Sequence, residues 1–70
     1  MKKELQKLKT FLEEDDFTAL DIILEDIHAS GKYSDDQINQ YWDIFHEATL
    51  YSEFKESTYK EESLKLINEI

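Results

Sequence analysis

The sequence predicts an all-α protein, a small antiparallel bundle of three or four helices. Three observations carry that expectation. The 70 residues include no proline and a single glycine. Strong helix formers dominate, and strand signals are poor. Apolar residues recur three and four positions apart through most of the chain, the spacing of one helical face.

The first helix is expected over about residues 2–13, with Leu5, Leu8, Phe11 and Leu12 on one stripe and Lys3, Glu4 and Lys7 outside it. The run Glu13-Glu14-Asp15-Asp16 should end it, because carboxylates at a helix C-terminus oppose the macrodipole. The same acids suit the start of the next helix, where Asp15 or Asp16 can cap free N–H groups. That second helix is read over 16–29, with Phe17, Leu20, Ile23, Leu24 and Ile27 facing the core and Ala19 and Ile22 widening the face. Gly31 is the expected left-handed residue after it. Ser34-Asp35-Asp36-Gln37 matches a capping box and opens a third helix over 35–56. Its face is Ile38, Tyr41, Trp42, Phe45, Ala48 and Thr49, bordered by Ile44, while Leu50 and Phe54 fall on a different side. A bend or short break is favoured near 55–58, where Thr58-Tyr59-Lys60-Glu61 reads as another capping box. A last helix over 58–69 follows, carrying Tyr59, Leu66 and Ile70 on one face beside Leu64 and Ile67. The alternative is one uninterrupted rod from about 35 to 69. Short connections imply antiparallel neighbours, and the length implies one helical domain over 1–70.

Charge is the strongest compositional feature. Seventeen Asp and Glu stand against eight Lys and no Arg, a formal net charge of −9. The lysines cluster early: Lys2, Lys3, Lys7 and Lys9 accompany only Glu4, and the remainder of the chain is strongly acidic. Such a surface repels nucleic acid phosphates and anionic lipid, so neither is an expected direct partner. It favours a basic protein partner, or serves solubility alone. Lysine without arginine is what an AT-rich coding sequence produces. Nine aromatics and many Leu and Ile at helical spacing exclude a disordered acidic tail. There is no cysteine, so disulfides and thiolate metal sites are excluded. No apolar stretch approaches a membrane span, and no secretory signal follows Met1. Cytoplasmic residence is the expectation.

The residues offer little for catalysis. No glycine-rich turn presents a serine, no phosphate loop or calcium loop is present, and a bundle of this size rarely encloses a pocket for paired carboxylates. No enzyme activity and no cofactor are expected. One metal-binding pattern needs weighing. Glu25/His28 and Asp43/His46 each place a carboxylate one turn from an imidazole, as in carboxylate-bridged metal sites of four-helix bundles. Both pairs fall outside the expected core stripes, however, which makes the two histidines surface residues first and ligands only as a distant alternative.

Three functional classes remain. The favoured one is a protein inhibitor that covers the basic face of a nucleic-acid-handling protein, as immunity proteins, antitoxins and phage counter-defence proteins do. Regularly spaced carboxylates on a helix would give fast, salt-sensitive association. The expected contacts are Leu50, Tyr51 and Phe54 as apolar anchors, with Asp43, Glu47 and Glu53 as charges. The second class is a homo-oligomeric helical adaptor or regulator, with Leu50 and Phe54 buried in a homodimer. The third is the carboxylate/histidine metal-binding bundle.

Overall fold

In the computed structural model, which describes residues 1–70, five helices follow one another with no strand: α1 (Lys2–Glu14), α2 (Phe17–Ala29), α3 (Asp35–Gln40), α4 (Trp42–Phe54) and α5 (Ser57–Asn68). The acidic run divides as its chemistry allows. Asp15 ends α1 in the left-handed region at φ 56°, and its N–H turns back to the carbonyls of Phe11 and Leu12. Aspartate is among the few L-residues that visit this region routinely. Asp16 then caps α2, its carboxylate accepting the Ala19 N–H at 3.1 Å. Leu5, Leu8 and Leu12 of α1 and Leu20, Ile23, Leu24 and Ile27 of α2 are buried. Phe11 and Phe17 are half-buried against them.

Gly31 follows α2 at φ 73°, a conformation that costs a residue without Cβ nothing. The capping box at Ser34 forms as expected. Its hydroxyl accepts the Gln37 N–H at 3.2 Å, and the Gln37 side chain accepts the Ser34 N–H at 2.9 Å. Between these two features Tyr33 reaches back to α1. Its hydroxyl faces Glu4 and holds that carboxyl below the ordinary carboxylate range.

The expected single helix over 35–56 is broken. Tyr41 sits at φ −117°, ψ 22°, which ends α3 after six residues and starts α4 in a new phase. Across the break the chain no longer keeps Trp42 in line with Ile38. The buried residues of α4 are Ile44, Phe45, Ala48, Tyr51 and Ser52. Ile44, expected at the border, is therefore core, whereas Trp42, expected in the core, is 50 % exposed. α4 ends at Lys55, a second left-handed residue at φ 55°. The break before α5 thus falls where expected, by different means. α5 has already begun at Ser57, with Glu56 at its cap and no side-chain cap bond, so Thr58–Glu61 does not form a box.

Four of the helices pack as a closed ring. α1 lies against α2 and α5, and α4 lies against the same two, while α3 is a connecting turn. Neighbours run antiparallel. His28 at the end of α2 meets Trp42 and Phe45 at the start of α4, and Asp21 near the start of α2 accepts a hydrogen bond from Ser52 near the end of α4. Likewise Asp15 after α1 pairs with Lys60 at the start of α5. The fold is an antiparallel four-helix bundle with an inserted turn of helix.

The end of the bundle that holds the α1–α2 and α4–α5 turns is tied by polar groups. The Tyr51 hydroxyl donates to Asp15 Oδ1 at 2.6 Å, and Lys60 Nζ donates to the same oxygen at 2.9 Å. The Phe17 ring lies 5.2 Å from the Tyr51 ring, with the Lys55 ammonium 4.9 Å from the Phe17 ring centre on its face. One carboxylate thereby joins α1, α4 and α5. These two hydrogen bonds hold the Asp15 carboxyl below its ordinary range. The same contact pushes the Tyr51 hydroxyl up to about 12.

α4 and α5 are the most extensively packed pair. Small side chains permit the close approach: Ala48 on α4 and Ser63 on α5 are both fully buried. The Ser63 hydroxyl donates to the Tyr59 carbonyl at 2.8 Å within its own helix. Ser63→Leu is expected to cost about 1–3 kcal/mol by overpacking. Ser63→Ala keeps most of the space filled and loses only the hydroxyl's hydrogen bond, at a cost of about 0.5–1.5 kcal/mol. Urea unfolding of both variants checks this, and a leucine variant as stable as the parent would show that the two helices do not meet there.

Candidate functional site

The outer surface of α4 is built from two stripes. One is Asp43, Glu47, Leu50 and Phe54, at intervals of four, three and four residues. The other is Trp42, His46, Thr49 and Glu53, at the same intervals. The first borders α5, where the Phe54 ring lies 6.2 Å from Tyr59. The second borders α2, where His28 meets Trp42. About 120° of helix separates Trp42 from Phe54, so they stand on opposite edges of this face.

Five of the six expected contact residues lie on that surface. Asp43 and Glu53 are exposed, Glu47 and Leu50 are half-buried, and Phe54 is 58 % exposed. Tyr51 is a correction. It is 6 % exposed, packed in the core and hydrogen-bonded to Asp15, so it is a structural residue and no partner can reach it. Rephasing of α4 at Tyr41 turns Tyr51 inward and Trp42 outward.

Trp42 and the two histidines were not among the expected contacts, yet they form one cluster. His46 stacks on the Trp42 indole with centroids 6.0 Å apart and planes 18° apart. His28 approaches Trp42 edge-on at 6.4 Å and Phe45 edge-on at 5.7 Å. A recess of about 290 Å³ lies among His28, Trp42, Phe45, His46 and Thr49. The Trp42/His46 spacing of four residues was the one sequence signal for it, visible once Trp42 is freed from the core. The Glu25/His28 and Asp43/His46 pairs do not assemble a metal site: nowhere do three His, Asp or Glu side chains gather in a geometry that could hold an ion.

Charge is segregated across the bundle. No lysine occurs in α2, α3 or α4. Lys2, Lys3, Lys7 and Lys9 lie on α1, which stands diagonally across the ring from α4. Lys60 is committed to Asp15, and Lys55 to Phe17 and the Ser52 carbonyl. On α2, Asp21 and His28 both touch α4, whereas Glu25 lies farther round the helix, beside Ile22, Asp26, Ala29 and Ser30.

A second groove, of about 400 Å³, runs between α1 and α2, with Phe11, Ile22, Ile23 and Tyr33 in its lining. Ile22 is 64 % exposed there. Its rim mixes Glu4 and Asp26 with Lys7 and Lys32, and Lys32 lies 3.8 Å from Asp26. That rim favours neither sign of partner. No helix is long and apolar enough to cross a membrane. No protein family, curated protein or solved structure matches the chain.

Proposed function

We propose that the protein is a binding module that docks the outer face of α4 on a basic protein and so denies that protein its nucleic acid. The observation that carries this reading is the absence of lysine from helices α2, α3 and α4, where Trp42 and Phe54 of α4 stand exposed among Asp43, Glu47 and Glu53. Aromatic side chains ringed by charge are the usual energetic centres of interfaces. Carboxylates of one sign steer a cationic partner and raise its association rate. The lysines of α1 belong to the helix diagonally across the ring from α4, so the molecule approaches such a partner with α4 leading. An inhibitor of the immunity, antitoxin or counter-defence kind acts in this manner.

The test compares the wild-type chain with a Glu47→Lys/Glu53→Lys variant as bait for lysate proteins at low and high salt. The expected wild-type catch is a basic nucleic-acid-handling protein that salt releases, that the variant fails to hold, and whose activity on nucleic acid the wild-type chain suppresses. With that partner purified, the variant should associate more slowly by about tenfold or more. Identical catches by the two baits would sink the reading. Capture of the chain's own copies alone would turn the α4 face into a self-association surface.

A further inference from the structure

We infer that the recess at the α2–α4 seam receives an arginine side chain of the partner, with its guanidinium laid against Trp42. This rests on the acidic-face reading and specifies its central contact. His46 covers part of the indole, and half of the Trp42 surface remains open. The recess beside it, about 290 Å³, has Phe45 and Thr49 in its lining to take the aliphatic stem. Along α4 the recess is followed, one turn beyond Thr49, by Glu53, exposed and free of any ion pair. No lysine on either helix competes for it.

The occupant follows from the shape of these groups. A guanidinium is planar, weakly hydrated and offers N–H donors around its edge. It can stack on an indole and still donate to a carboxylate in its own plane. Tryptophan is also the aromatic ring that attracts cations most strongly. An ammonium is a compact, strongly hydrated charge that gains less from a half-open aromatic wall. The mixed-sign groove between α1 and α2 offers no such preference, since Lys7 and Lys32 share its rim.

Trp42 is the only tryptophan in the chain, so its emission reports on this site alone. The experiment titrates the full chain at low salt with a capped hexapeptide carrying arginines and with its lysine counterpart of equal charge. The arginine peptide should bind about five- to tenfold more tightly, as one stacked cation is worth, and should perturb Trp42 emission. In Trp42→Leu, followed by calorimetry, the advantage should disappear while both peptides retain weak binding. Trp42 is half-exposed, so this variant should keep the fold, which circular dichroism verifies. Glu53→Gln provides an independent variant, and it should shrink the arginine advantage without touching the indole. Equal affinities for the two peptides, or binding that leaves Trp42 emission unchanged, overturn this inference and leave the acidic-face reading standing. In that event Glu47→Lys/Glu53→Lys weakens both peptides alike. If neither peptide binds, both readings fall together.

Discussion

Phe45→Ala is expected to unfold most of the protein at moderate temperature. Phe45 is the largest of the fully buried side chains, on the inner face of α4 with His28 of α2 edge-on at 5.7 Å. Truncating a buried phenylalanine costs about 3–5 kcal/mol, because the lost transfer energy is joined by the cavity left behind. A chain of this size has a total stability of only about 4–10 kcal/mol. No disulfide is available to limit the loss. The melting midpoint followed by circular dichroism should therefore fall by roughly 15–30 °C, if a cooperative transition survives at all. Phe45→Leu, which keeps most of the volume, should cost about 1–1.5 kcal/mol and retain a clean transition. A drop of only a few degrees in the alanine variant would show that the ring closed by α1, α2, α4 and α5 is not organised around this side chain.

What the sequence discloses about this fold is the part fixed by near neighbours. The stripes of α1 and α2 follow from apolar spacing alone. The boundaries at Asp16, Gly31 and Ser34 follow from the backbone chemistry of those residues. The break at Tyr41 has no such marker. No proline, glycine or cap accompanies it, and it exists because α4 packs in a phase that a continuous rod from Ser34 would not allow. Periodicity shows that α4 is apolar on more than one side but does not say which side is innermost. Every misplacement in the site descends from that choice. Spacing alone turns Trp42 inward, yet Trp42 is exposed; spacing leaves Tyr51 outside, whereas its partner Asp15 lies 36 residues away in sequence. Asp43, Glu47 and Glu53 fall on the outward side of α4, Glu47 half-buried, because their spacing along one helix fixes them relative to one another. The place of the α1 lysines diagonally across from them needed the ring order of the helices, which no local pattern contains.

Tyr51 also gives the protein a stability that depends on pH at both extremes. Its hydroxyl is raised from an ordinary value of 10 to about 12 by the hydrogen bond to Asp15, with burial adding to the effect. A proton held more tightly in the folded state stabilises that state. This contribution is complete below pH 10 and is lost as the pH rises from 10 toward about 12. Asp15 works in the opposite direction. Its carboxyl is lowered below 3.8 by Tyr51 first and Lys60 second, so its contribution is present above pH 3.8 and is lost as the pH falls through the lowered value. Tyr51→Phe keeps the ring against Phe17 and removes only the hydroxyl. It should cost about 1.5–2 kcal/mol near neutral pH, as the loss of a hydrogen bond to a charged group does, and lower the melting midpoint by roughly 6–16 °C. The gap between parent and variant should then close as the pH climbs from 10 to 12, because the parent's hydroxyl gives up the proton that the variant never had. Tyr33, Tyr41 and Tyr59 are common to both proteins, so the difference between the two melting curves isolates Tyr51. Retention of the full gap at the alkaline end would mean that the hydroxyl does not bridge α4 to the end of α1 in solution.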